Sequence, residues 1–262
     1  MTTTHLASAV TVAREAEEHA TSRHFDRPIQ RVGIVTAIRL RRYGEAVQAL
    51  IPGHAYEARV IVRSAMELHY NYEWMRLKPR SRAIRFLRFY TLETLSAAED
   101  LNSGMPGQPL ADTIAELRRQ RTLLRYLFRA SNLKGRRMWA RHWATVSSFE
   151  NRLREVQADS RSMSPTDKFM YGLYRWFSST VHGGPQSFED VIAVDDRGLR
   201  EKDSAELATD SPAVAIATLL LGTWSSVAHD CRLDSAISAR IRHAFEVMRD
   251  QLYALPATDG AA

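Results

Sequence analysis

An all-α fold, a single helical bundle, is what the sequence predicts, and three observations predict it. Nearly every segment repeats its apolar residues at intervals of three and four, the period of a helix with one buried face. Prolines and glycines cluster between those segments, at Pro28, Pro52-Gly53, Pro79, the run from Gly104 to Pro109, Gly183-Gly184-Pro185 and Pro212. The chain of 262 residues is 45% hydrophobic and 25% charged, enough apolar length for one substantial core and too much for a disordered chain. One domain of eight or nine helices is expected, with no internal repeat, heptad array or Gly-rich phosphate loop.

The first helix, residues 6 to 22, is polar with Ala and Val along one side. Asp26 and Pro28 start the second, whose stripe is Ile29, Val32, Val35, Tyr43, Val47 and Leu50. The third, residues 54 to 78, is apolar nearly all round (Val60, Ile61, Val62, Met66, Leu68, Tyr72, Trp74, Met75), which predicts a central position, and Pro79 closes it. Ser81 is expected to cap a fourth helix reaching Leu101, with Ile84, Leu87, Phe89 and Tyr90 inside. A fifth, residues 112 to 132, turns Ile114, Leu117, Leu124, Leu127 and Phe128 inward. Its outer face carries Arg118, Arg119, Arg121, Arg125 and Arg129. Trp139 and Trp143 pin the next connection to the bundle. Ser147 with Glu150 reads as a capping box for a helix to residue 158. Ser164-Pro165-Thr166-Asp167 starts an aromatic-rich helix that ends at His182. Residues 191 to 198 read as a short strand and turn. Ser211-Pro212 opens an apolar helix to Asp230, and an amphipathic one covers residues 233 to 255.

Lys and Arg number 36 against 30 Asp and Glu, a net charge of +6, and all but four of the cations are Arg. This balance admits nucleic acid as a partner, because cations that neutralise phosphates release counterions. The arginine face of residues 118 to 129 is the candidate nucleic-acid surface: Arg118, Arg121, Arg125 and Arg129. Cys231 is the only cysteine, so no internal disulfide and no cysteine metal cluster forms. The N-terminus lacks the charged start and apolar core of a signal peptide. The most apolar run, Ala213 to Leu221, falls short of the roughly 20 residues that cross a bilayer. A cytoplasmic protein with no membrane partner is expected. The same run is more apolar than a surface helix requires, and this points to a homodimer.

Chemistry concentrates in two places. Arg63, Glu67 and Asn71 stand at i, i+4 and i+8 on the apolar third helix, with Ser64 beside them. Burying isolated charge is costly, so Arg63 and Glu67 are expected to pair with each other or with a polar group from another helix. On the late helix, Arg175, Ser178 and His182 share one face, with Tyr174 adjacent. No histidine has a Glu three residues before it, which argues against a carboxylate-bridged metal centre, and no cofactor is expected.

The run Ala58-Arg-Val-Ile-Val-Arg63-Ser64-Ala-Met-Glu67-Leu, followed by Tyr174-Arg175, Ser178 and Val181-His182, resembles the family catalogued as domain of unknown function 5677. Its members are helical, mostly bacterial proteins with an Arg-Ser-x-x-Glu helix and a later Ser-x-x-x-His ending. The resemblance covers about residues 30 to 215, leaving the last two helices to pack on that core. It implies a fold and carries no established activity. The spacing of Arg175 and His182 is also similar to that of the HEPN superfamily, small helical domains that include metal-independent ribonucleases, often with the site paired across a homodimer. That likeness implies an endoribonuclease, in a toxin or phage-defence setting. Arg175 would hold the phosphate, His182 would move a proton, and Arg63 with Glu67 would orient them. Three other Arg–His pairs in this Arg-rich chain fit the same spacing, Arg136 or Arg137 with His142 among them. The alternative is a non-enzymatic helical module that binds a protein, a small ligand or nucleic acid, its polar cluster serving structure. Ser178 and His182 as nucleophile and base is a minor reading.

Overall fold

The structure is a computed structural model, described here for residues 2–104, 110–131, 137–139, 142–144, 148–159, 172–175, 177–178, 192–195, 198–201 and 210–253. It is an all-α bundle. Its helices are α1 (Thr2–Thr21), α2 (Pro28–Leu50), α3 (Ala55–Arg76), α4 (Pro79–Gly104), α5 (Ala111–Leu123), α6 (Arg125–Phe128), α7 (Phe149–Asp159), α8 (Asp210–Cys231) and α9 (Ser235–Tyr253). Residues 172–175 and 177–178 are also helical. Two small antiparallel ladders decorate the bundle. β1 (Arg129–Ser131) pairs with β2 (Arg137–Trp139), and β3 (Ile192–Asp195) with β4 (Gly198–Glu201) in the register Ile192 to Glu201. The second of these is the strand and turn expected near Val194.

α8 is the axis of the bundle, packed by α1, α2, α3 and α9. Ala213, Ala215, Ile216, Leu219, Leu220, Leu221, Trp224 and Val227 are all buried on it. α1 can lie close because its inner face is Leu6, Ala9, Val10, Ala13, Ala16 and Ala20, mostly small residues. The apolarity of residues 213 to 221 is therefore used within the chain's own core. By length and composition alone, Pro212–Cys231 is apolar enough to cross a membrane, but 72% of that window is buried inside the fold. A smaller core of Leu95, Ala98 and Ile114 joins α4 to α5.

α3 packs on α2, α4, α7 and α8, and it is held to α8 by polar groups as well as by its apolar face. Tyr72 Oη donates to Asp230 Oδ2 at 2.7 Å, and Arg76 Nε donates to the same oxygen at 2.9 Å. Arg76 also pairs with Glu73 at 2.7 Å and donates to Ser226 Oγ. Burial would raise the Asp230 carboxyl, but hydrogen bonds from Arg76 and Tyr72 overcome it and hold Asp230 below the usual carboxylate range.

Several expectations are corrected by packing. Val60 is 40% exposed, so α3 has a wet side and is not apolar all round; Val35, Leu87 and Tyr90 also face outward. Pro79 opens α4 where it was expected to close α3, and Ser81 lies inside that helix's first turn and does not cap it. Proline suits the first turn because its missing N–H has no intrahelical partner there. Arg27, not Asp26, is the N-cap of α2, with Gln30 Oε1 accepting the Arg27 N–H. The fifth helix stops at Leu123. Leu124 turns the chain, its N–H shared between the carbonyls of Arg121 and Thr122, and this sends Phe128 under α4 and leaves residues 129–131 as strand. Ser148 caps α7 through a bond from Asn151 N–H, one residue after the expected start. Ser147 and the start at Ser164 lie outside the described residues.

Candidate functional site

Residues 172–178 reach the site by a simple helical logic. Leu173 and Phe177, four apart, are buried in the main core, and this turns Tyr174 and Ser178, also four apart, toward α3. There they meet the Arg63–Glu67 pair, 107 and 115 residues away in sequence. Arg63 Nη2 lies 3.0 Å from Glu67 Oε1, and Tyr174 Oη donates to the same Oε1 at 3.2 Å. Arg63 Nε donates to Ser178 Oγ at 3.1 Å, and Ser178 Oγ in turn donates to the Tyr174 carbonyl at 2.7 Å. The Arg63 guanidinium sits 5.6 Å from the Tyr174 ring centroid. Behind it, Tyr174 stacks on Phe149 of α7 at 4.2 Å, and Phe149 meets Tyr70 edge-on. The aromatic wall fixes the tyrosine, and the ion pair fixes the arginine.

This centre is half open. The Arg63 side chain is 18% exposed and that of Glu67 is 38% exposed. Burial and the Glu67 charge both push the Tyr174 phenol upward, so it stays protonated and remains a hydrogen-bond donor through the physiological range.

Two residues that sequence reasoning passed over join the centre. Arg152 of α7 is only 5% exposed and lies against the rings of Phe149 and Trp143. Burial lowers its pKa, and the field of Glu67 opposes that shift. Its position between Phe149, Leu153 and Val156, inside the apolar stripe of α7, is the signal that could have revealed it. His142 was visible only as one of the chance Arg–His pairs. Its Nδ1 accepts the Ala144 N–H at 3.1 Å, which leaves the proton of the neutral ring on Nε2. Burial and the neighbouring Arg152 lower its pKa, partly offset by Glu67.

The other candidates fall differently. Arg175 is exposed beside Tyr174 in the chain. His182 lies outside the described residues. Ser64 donates to the Val60 carbonyl on its own helix and bonds to no other member of the cluster among the described residues. Asn71, although on the Arg63–Glu67 ridge, has its Oδ1 buried with no hydrogen-bond partner among the described residues. The arginine face of α5 is largely neutralised or covered: Arg118 pairs with Glu99, Arg119 with Glu116, and Arg121 lies over Trp139. Arg125 is exposed, and Arg129 falls on β1 where a helix position was expected.

No curated protein and no solved structure matches the chain. The model of a family of unknown function, DUF5677, matches residues 31–199, which span α2, the α3 centre and the 172–178 segment. With that match extending over well more than half of its length, the chain belongs to the DUF5677 family.

Proposed function

We propose that the chain is a HEPN-like endoribonuclease that cleaves RNA without a metal, acting where α3 meets Tyr174 and Ser178. The observation that carries this reading is the charge balance of the half-open centre. Arg63 pairs with Glu67, the nearly buried Arg152 lies in the field of the same carboxylate, and Arg175 adds an exposed cation beside Tyr174. A centre with surplus guanidinium charge suits a phosphodiester, whose negative charge grows as the 2′-oxygen attacks phosphorus. In this scheme Arg175 holds the phosphate and His182 transfers a proton to or from the reacting oxygens. Glu67 and Tyr174 hold Arg63 in place, and Ser178 positions it through Nε, its own proton being committed to the Tyr174 carbonyl. A homodimer accompanies the proposal, but α8 does not supply its interface, since Ala213 to Leu221 are used internally.

The test is cleavage of single-stranded RNA in EDTA. His182→Ala and Arg175→Ala are each expected to slow it by at least roughly 100-fold. If His182→Ala cuts as fast as the parent, the reading is wrong.

A second reading, a non-enzymatic binding module with a structural cluster, is favoured by one observation: Arg63, Glu67, Tyr174 and Ser178 form a closed ring of bonds among themselves. A true brace predicts that Glu67→Ala costs about 3 kcal/mol or more. A pair as exposed as this one is expected to contribute only about 1 kcal/mol. Urea melts of Glu67→Ala separate the two.

A further inference from the structure

A second basic feature lies two helical turns beyond Glu67 along α3, about 10 Å at 1.5 Å per residue. Where the end of α3, the start of α4 and the outer face of α7 meet, they enclose an open cleft of about 750 Å³. Four cations line it, Lys78, Arg82, Arg85 and Arg154, against one carboxylate, Glu155.

Those charges are not equivalent. Arg82 is fully committed. Its guanidinium lies 3.6 Å from the Trp74 ring centroid, Nη1 donates to the Trp74 carbonyl, and Nη2 donates to Glu155 Oε2 at 2.7 Å. Trp74 Nε1 donates to that same oxygen at 2.8 Å, so Trp74, Arg82 and Glu155 make one rigid wall. Arg154 is tied to Glu150 at 2.7 Å. Arg85 has no such partner. It donates one bond to the Leu127 carbonyl, its Nε is buried with no hydrogen-bond acceptor, and no carboxylate pairs with it among the described residues. Phe128 lies 5.4 Å from the guanidinium and desolvates it further. Lys78, which directly precedes α4, is exposed and lines the same cleft two helical turns before Arg85. An uncompensated, half-buried guanidinium lining the same walled cleft as a flexible ammonium is an unsatisfied anion site, because burying charge without a partner is costly.

We propose that this cleft binds a phosphate ester of nucleotide size, with Arg85 and Lys78 as its two ligands and the Trp74–Arg82 wall as its floor. The volume falls within the range of small-molecule sites. Guanidinium and ammonium are the side chains that recognise phosphate, the first by paired donors and the second as a mobile point charge. The inference rests on the cleft's own residues and stands apart from the ribonuclease reading.

Isothermal titration of the full chain tests it, with inorganic phosphate, adenosine monophosphate and an uncleavable 2′-O-methyl RNA heptamer as probes. Adenosine monophosphate is expected to bind, and Lys78→Gln and Arg85→Met each to weaken it about tenfold or more, whereas Glu67→Gln leaves it unchanged. Lys78 is exposed, so Lys78→Gln folds as the parent does and decides the matter alone if Arg85→Met is unstable. Binding of only the heptamer, with the same dependence on Lys78 and Arg85, upholds the site and names a polymer phosphate as its occupant. The proposal is overturned if no probe binds, or if both variants bind like the parent. RNA cleavage in EDTA is scored separately, so loss of either reading leaves the other legible.

Discussion

Gly33 shows how closely single residues are constrained at the join of α2, α3 and α8. A Cβ built there would lie 2.6 Å from Tyr72 Oη and 2.8 Å from its Cζ, so any side chain must drive the tyrosine off Asp230. Gly33→Ala is therefore expected to destabilise the fold by about 1–3 kcal/mol, the ordinary cost of overpacking, despite alanine's better helix propensity. Urea melts measure this directly. Asp230 itself accepts from Tyr72 and Arg76 and is held below the usual carboxylate range. A depressed folded pKa means a stabilising contribution present above the unfolded value, near 3.9, and lost as pH falls through the folded one. Asp230→Asn should thus cost about 3 kcal/mol at pH 7, because it removes the charge opposite Arg76 and leaves one acceptor oxygen where Arg76 and Tyr72 now use two. The gap between parent and variant should narrow in melts below about pH 4. An unchanged gap would mean that the carboxylate charge is not what matters.

Among elements, α8 has the largest share of the core. Trp224 at its centre is fully buried, and its Nε1 has no hydrogen-bond partner among the described residues. Truncation to alanine removes a large packed volume and should cost about 3–5 kcal/mol. Trp224→Phe removes an unsatisfied donor along with some volume, and the two effects partly offset, so it should cost less than about 2 kcal/mol. Thermal melts of the pair separate packing from polarity. α5 illustrates the reverse relation, an element whose face reads more basic in sequence than it is in space. Glu99 and Glu116 neutralise Arg118 and Arg119, so replacing both arginines with glutamine is expected to change the salt dependence of RNA binding by less than one phosphate contact. A steep loss of slope would return α5 to the role expected from its composition.

At the scale of the whole molecule, helical periodicity and its punctuation located the long described helices to within a few residues, because one face of each must be apolar to join the core, except that α5 ends at Leu123, nine residues before its expected end. The pairing of Arg63 with Glu67 was also legible, since i, i+4 spacing on one helix fixes their approach. That the face of Tyr174 and Ser178 works with them was expected only from the resemblances, and their individual bonds were not legible. Contacts across more than a hundred residues depend on how Leu173 and Phe177 seat in the core, which no local pattern encodes. Arg152 was hidden for the opposite reason: a cation inside an apolar stripe reads as noise until the rings of Phe149 and Trp143 are found around it. By itself the sequence determined the helical class, the family and the residue types available for chemistry, all of which follow from local period and composition. Only the tertiary structure decided which charges are cancelled and which are left over. Arg118 and Arg119 of α5 found carboxylates on the preceding helix and on their own, whereas Arg85 was packed against Phe128 with no carboxylate paired to it among the described residues, and a charge's worth depends on what the fold sets around it.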